Sequence, residues 1–184
     1  MSKLLMVLAI AGTLLGAGAM VYGDAAAKGD DNHGKRGHDF MPVMNADYQN
    51  ECGTCHMAYP PGLLPARSWE RIMGGLEDHF GDNAQLDPVT HEAITRYLVG
   101  HAAEHDGSRR AAKFLRSIPA TGTPLRVTET RYFVKKHDEI PEHMVAGNPE
   151  VKSFANCAAC HRSAERGIFD DDDVRIPGFE DARF

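Results

Sequence analysis

A mainly α fold, a small multi-helix body with long loops, is what this sequence predicts. Three observations carry the prediction. Apolar residues recur at helical spacing in several segments, and no stretch alternates at period two long enough to build a sheet. Helix start signals are well formed, above all Asp87 followed by Pro88. Proline and glycine then punctuate the candidate helices, which keeps them short.

Taken in order, the N-terminus reads as an export signal over residues 1–23. Lys3 supplies one positive charge, residues 4–22 are uncharged and rich in Leu, Ala and Gly, and small residues stand at 17–19 and 21–23, where cleavage is expected. The competing reading is an uncleaved membrane anchor, because the apolar run is near the ~18 residues of a spanning helix. Cleavage makes the mature chain periplasmic. Residues 24–40 are polar with little to bury and read as a flexible tether, leaving 41–184 as the folded domain. A first helix is expected over 68–80, stopped by Gly81. A second starts with Asp87 as cap and ends near Gly107; a short third covers 108–118, closed by Pro119. Residues 121–128 read as an extended connection, and a fourth helix fits 129–139, ended by Pro141. The last is expected to start near Glu150 and to carry the second cysteine pair. Four acids at 170–173 read as a solvated turn, followed by an extended tail over 174–179.

Composition narrows the function. With 42% hydrophobic and 25% charged residues the chain suits one globular domain or two small lobes. A net charge of −6 offers no basic field to nucleic acid, and steers instead toward a basic partner. Ten histidines beside four cysteines point to metal chemistry, since histidine is the commonest metal-binding side chain.

The cysteines specify which metal chemistry. Cys52-Gly53-Thr54-Cys55-His56 and Cys157-Ala158-Ala159-Cys160-His161 both read Cys-x-x-Cys-His, the attachment signature of c-type haem. Two thiols three positions apart can each add to one vinyl group of the same porphyrin, and the adjacent histidine reaches the iron. Two covalently bound haems thus account for all four cysteines. The rivals are weaker. Zinc pairs usually lie within about 15–20 residues of each other, far closer than Cys55 and Cys157, and zinc gives no reason for a histidine after both pairs. A thioredoxin-like motif needs a βαβ setting, and a disulfide within each pair closes too small a loop to restrain the chain much. The two haems divide the domain into a first lobe of about 41–107 and a second of about 108–184, each packed around its cofactor.

The sixth iron ligand decides function: a filled position gives an electron carrier, an open one allows small-molecule chemistry. Trp69, Ile72, Met73, Leu76 and His79 or Phe80 share one helical stripe, which makes His79 a candidate. Phe133, His137 and Ile140 do the same for His137. Gly74 and Gly75 weaken the first of these helices and leave room for a flat porphyrin. His101 and His105 share a face with Ile94, Tyr97 and Leu98 and remain candidates, as does His143 after Pro141. His91 reads as a surface residue, and His33 and His38 fall in the tether. Met44, Met57, Met73 and Met144 can ligate in principle; Met73 suits the core better, and Met57 follows its motif too closely to reach the opposite face.

The stretch over residues 51–99, the segment 124–130 (PLRVTET), 136–140 (KHDEI), 156–161 and the tail 171–177 closely resemble the bacterial dihaem cytochrome c family, DHC, with the likeness running from Asp47 to Pro177. The resemblance implies a small, mainly helical electron carrier with two bis-histidine haems. His56 and His161 would be proximal ligands, His79 and His137 the distal ones. It also implies an SHP-like acceptor, a small oxygen-binding c-type haem protein, and a membrane b-type cytochrome as donor. The expectation is a non-enzymatic relay, in which histidine rather than methionine as distal ligand lowers the potentials and acids such as Asp78 or Asp138 separate them. The alternative is a peroxidase-like haem enzyme or gas sensor with one open iron.

Overall fold

Six helices form among residues 38–182, the part that the computed structural model describes, and four of them open on a polar side-chain cap. The helix α1 (Ala46–Cys52) is capped by Asn45, whose side chain accepts from the Tyr48 N–H. The helix α2 (Ala66–Met73) turns Ser68, Trp69 and Met73 inward, with the Trp69 indole N–H donating to the Pro61 carbonyl at 2.8 Å. The helix α3 (Pro88–Gly100) is opened by Asp87, which accepts from the N–H groups of Val89 and Thr90, and it buries Ile94 and Leu98. The helix α4 (Arg109–Ser117) starts on Ser108, and α5 (Arg131–His137) on Thr130, each hydroxyl capping its first turn. The helix α6 (Cys157–Cys160) is a single turn. Short 3-10 turns join them, and no strand is formed among the described residues beyond the isolated bridges His79–Asp82 and His161–Val174. The fold is mainly α with long connections, as the sequence predicts.

Several element boundaries differ from expectation, each for a local reason. The first expected helix does not continue to Phe80. It stops at Met73, because Gly74 and Gly75 each cost about 1 kcal/mol in a helix interior, and Leu76–Asp78 form a 3-10 turn instead. The second ends at Gly100, not near Gly107. No helix starts at Glu150: Asn148 gathers that segment into turns, its carbonyl accepting from Val151 and Lys152 and its side chain from Glu150. Residues 170–173 do make a short turn, capped by the Asp170 carboxylate, and the tail beyond it lies on the body with Ile176 buried.

Three apolar clusters hold the described residues together, all within the compact unit Lys35–Phe184. The first gathers Tyr48, Leu64, Trp69, Met73, Ile94 and Leu98, where α2 packs on α3. The second gathers Phe40, Leu63, Ala111, Phe114, Phe133 and Phe169, residues widely separated in sequence. The third is small: Val145, Val151 and Ile176. Each large aliphatic side chain so buried contributes about 1.5–3 kcal/mol. Tyr59 and Val127 pack against both the first and the second cluster. Phe40, at the end of the expected tether, is buried in the second cluster, and Asp39 beside it pairs with Arg110. Among the described residues no helix is long and apolar enough to cross a membrane. The expected export segment 1–23 and most of the tether lie outside the described residues.

Candidate functional site

The first cysteine motif begins on the last residue of α1. Cys52 closes that helix, the Gly53 N–H donates back to Gln49, and Cys55 and His56 follow in an exposed turn. The His56 Nδ1 lies 2.8 Å from the Met57 carbonyl. A carbonyl only accepts, so Nδ1 carries a proton, and Nε2 is the nitrogen left to a metal in the neutral ring. His79 faces this ring with centroids 6.3 Å apart and planes 28° apart.

His79 is presented by a tight turn and not by a helix face. Its N–H donates to the Asp82 carbonyl at 2.7 Å and its carbonyl accepts from the Asp82 N–H at 3.3 Å. Phe80 takes a left-handed φ of 59° and Gly81 one of 105°, which folds the chain back to Asp82. The Asp78 carboxylate accepts from the Gly81 N–H, and the Arg126 guanidinium sits 3.8 Å over the Phe80 ring. An open cleft of 690 Å³ lies alongside, lined by Arg71, Gly74, Gly75, His79 and Leu125 among others.

The second motif occupies α6 and the residue after it. The His161 N–H donates to the Cys157 carbonyl at 2.8 Å, and the Arg175 N–H donates to Cys160 at 3.0 Å, so the C-terminal tail braces the motif. His137, the last residue of α5, faces His161 with centroids 6.2 Å apart and planes 74° apart. Its Nδ1 donates to the Phe133 carbonyl at 2.9 Å, which again leaves Nε2 bare. The Phe133 ring stacks on it at 3.9 Å and 12°, and Phe154 meets it edge-on at 5.7 Å. The Nδ1 of His161 is buried without a hydrogen-bond partner.

These pairs fit a bis-imidazole metal site. Two metal–nitrogen bonds of about 2.0 Å, with about 1.1 Å from nitrogen to ring centre at each end, would place two imidazoles about 6.2 Å apart across one metal. The observed separations are 6.3 and 6.2 Å. Burial lowers the pKa of His79 and His137, and burial followed by the neighbouring His137 pulls His161 down to about 4. These three rings are therefore held toward the neutral, ligating form. The cysteines point the same way. Burial pushes the thiols of Cys52 and Cys157 up to about 11, opposite to the depressed pKa of a redox-active pair. None of the four is bridged to another. Among the described residues no three His, Cys, Asp or Glu side chains gather as a metal cage, so the two cysteine pairs do not meet in a zinc site.

The other candidates lie elsewhere. His101 is exposed and bonded back to the Tyr97 carbonyl at 2.8 Å. His105 is exposed in the turns that follow Gly100, and His143 is exposed against Phe179. His91 is half-buried and holds the Met73 carbonyl at 2.9 Å, tying α3 to the end of α2. Met73 is in the first core cluster, and Met44 is 81% exposed. The sequence reading missed Asp82, Phe133's stacking role and Tyr59, whose ring lies 4.9 Å from that of His56. Only Phe133 left a signal, four residues before His137 on one helix.

A helical body bearing two Cys-x-x-Cys-His motifs, each facing a second histidine, defines a c-type cytochrome. The model of the family described as dihaem cytochrome c matches residues 48–169, and the chain belongs to that family. It accordingly carries two covalently bound c-type haems. It is similar to the crystal structure of a diheme cytochrome type c from Shewanella baltica OS155, with 49% identity, a TM-score of 0.61, and coverage of 74% of this chain and 95% of that one. It is also similar to a diheme cytochrome c from Rhodobacter sphaeroides, with 45% identity, a TM-score of 0.63, and coverage of 70% and 99%. A structure of DHC purified from Rhodobacter sphaeroides matches at 42% identity and a TM-score of 0.56, covering 70% of this chain and all 100% of that one. No curated protein sequence matches the chain.

Proposed function

We propose that this chain is a periplasmic, non-enzymatic electron carrier in which His56 with His79, and His161 with His137, ligate the two irons. Cys52 with Cys55 and Cys157 with Cys160 provide the thioether links. A bound c-type haem supplies a one-electron ferric/ferrous couple. Each histidine pair would hold one iron, which would keep the change on reduction small and leave no site open to oxygen or peroxide. The observation that carries this reading is the spacing of the two imidazole pairs, 6.3 and 6.2 Å, which matches one metal between each. The export segment read over residues 1–23 supports the periplasmic assignment. A membrane b-type cytochrome as donor and an SHP-like c-type haem protein as acceptor follow from the family resemblance. The net charge of −6 suits a basic partner face.

Electron paramagnetic resonance of the oxidised holoprotein tests the ligation. Near-parallel imidazole planes act on the same iron d orbital and split it from its neighbour, whereas near-perpendicular planes leave the two almost degenerate. Planes at 28° and 74° therefore predict two different low-spin signals, the second with the larger maximum g value. Neither haem should bind carbon monoxide when reduced. His79→Ala should convert one signal to high-spin and His137→Ala the other, while His101→Ala and His143→Ala change neither. A high-spin or carbon monoxide-binding haem in the wild-type protein overturns the carrier reading in favour of catalysis or gas sensing.

A further inference from the structure

Tyr59 stands between the two sites and belongs to neither ligand set. Its ring lies against the His56 imidazole, with centroids 4.9 Å apart and planes 30° apart. Its hydroxyl donates to the Ala155 carbonyl at 2.6 Å, across 96 positions of sequence. Ala155 is two residues before Cys157, in a turn that its neighbours hold firmly. Its own N–H donates to the Ser153 hydroxyl at 3.1 Å, and the Asn156 side chain donates to Val151 at 3.2 Å.

The Tyr59 backbone is pinned as well. Its carbonyl accepts the hydroxyl of Tyr48 at 3.0 Å, and Tyr48 is only 3% exposed in the first core cluster. Pro60 and Pro61 follow, both fully buried, so the chain at this point has little freedom. A phenylalanine would fill the same space against both apolar clusters. The hydroxyl adds one thing, a tether to the segment that delivers the second motif.

We propose that Tyr59 is a positioning residue that couples the two haem sites: its ring sets the plane of the His56 imidazole, and its hydroxyl fixes that ring to the segment entering Cys157. The inference rests on the bis-histidine reading above. His56 is exposed, so few contacts hold its ring. The bond from Nδ1 to Met57 restrains one edge, and rotation about the Cβ–Cγ bond is blocked only where a neighbouring face lies against it. Tyr59 supplies that face. The 28° angle between the His56 and His79 planes thus depends on a side chain anchored in the other half of the chain. A change in the turn before Cys157 is transmitted to the first iron's axial ligand through a rigid aromatic lever.

The experiment compares holoprotein of the wild type, Tyr59→Phe and Tyr59→Leu by electron paramagnetic resonance in the oxidised state, with thermal unfolding alongside. Tyr59→Leu removes the stacked face, and the first-site signal should shift toward a larger maximum g value while the second-site signal stays in place. Tyr59→Phe keeps the face but loses the anchor, and should show a smaller shift in the same direction. That graded rescue is something a merely space-filling tyrosine would not produce. If both variants melt earlier but leave the first-site signal unshifted, or if both signals move together, the coupling role is wrong. A high-spin first site in the wild type overturns the bis-histidine reading and this inference together. Two low-spin wild-type signals with an unmoved Tyr59→Leu signal overturn the inference alone.

Discussion

His137 takes its orientation almost entirely from one residue. Phe133 gives it a backbone acceptor one helical turn back, at 2.9 Å, and a ring stacked at 3.9 Å. The first restraint is free with the helix and sets which nitrogen is protonated; the second fixes the ring plane. Phe133→Leu separates them, because it keeps the carbonyl and removes the stack. The variant should lose about 1 kcal/mol, the usual worth of an aromatic pair beyond its buried area, with the larger losses of a core truncation avoided by leucine. The second haem should stay low-spin, since Nδ1 remains bonded, but its resonance should broaden or shift while the first is unmoved. A high-spin second haem in this variant would mean that the stack, not the carbonyl, places the ligand. At His79 the backbone does more of this work, since the two bonds to Asp82 hold the peptide units on both sides of the ring, with the Phe80 ring 4.8 Å away at a tilt.

Elements position the candidate histidines by where they stop. The glycine pair after Met73 ends α2 and swings the chain through a 3-10 turn, so that His79 emerges from a turn at the right distance from His56. Gly75 has φ of −131°, open to any residue, and an added Cβ there meets only ordinary contacts, whereas one at Gly74 would press on the Glu70 carbonyl oxygen at 3.3 Å, which must give by a few tenths of an ångström. Alanine fits at Gly75 and needs a small backbone adjustment at Gly74, and it favours continued helix by about 1 kcal/mol per site. The double variant Gly74→Ala, Gly75→Ala should gain helix by circular dichroism and lose the first low-spin signal, its haem becoming carbon monoxide-sensitive. Retained ligation would show that the Asp82 clamp overrides helix propensity. This junction also marks how far the sequence was legible. Local signals were readable: the cap read at Asp87 stands where a helix begins, and both cysteine motifs declare their chemistry in five residues. The histidine pairs were legible as candidates, but the helical stripe that pointed to His79 is broken before it reaches that residue. The helix α1 escaped notice because Tyr48 is its one buried residue. The turns after Asn148 hid a missing helix, and Tyr59 had no local signal because its partner is 96 residues away.

At the scale of the whole molecule, the described body is closed by a seam between residues 39–40 and residues 167–169. The N–H groups of Asp39 and Phe40 both donate to the Gly167 carbonyl, at 2.9 and 3.0 Å. The Asp39 carboxylate accepts from the Phe169 N–H at 2.6 Å and pairs with Arg110 at 2.9 Å, both partners 23% exposed. Phe40 then meets Phe169 edge-on and Phe114 at a tilt, in the cluster that also holds Phe133. Gly167 allows this approach. Its φ is +71°, and a Cβ there would lie 2.5 Å from the Phe40 carbonyl oxygen, a backbone atom with nowhere to retreat. Gly107 offers a matched control, with φ of +76° and open space around it. Gly107→Ala should therefore cost only the left-handed penalty, about 1–2 kcal/mol. Gly167→Ala must bear the same penalty and also push the 39–40 segment off the body, so its loss in denaturant unfolding of the holoprotein should be clearly larger. Because Phe40 packs beside the His161 site through Phe169, whose ring lies 5.3 Å from that of His161, the second haem's resonance should shift in Gly167→Ala and stay fixed in Gly107→Ala. Equal losses in the two variants would mean that the seam yields without strain and that the second site is held from α5 and the tail alone.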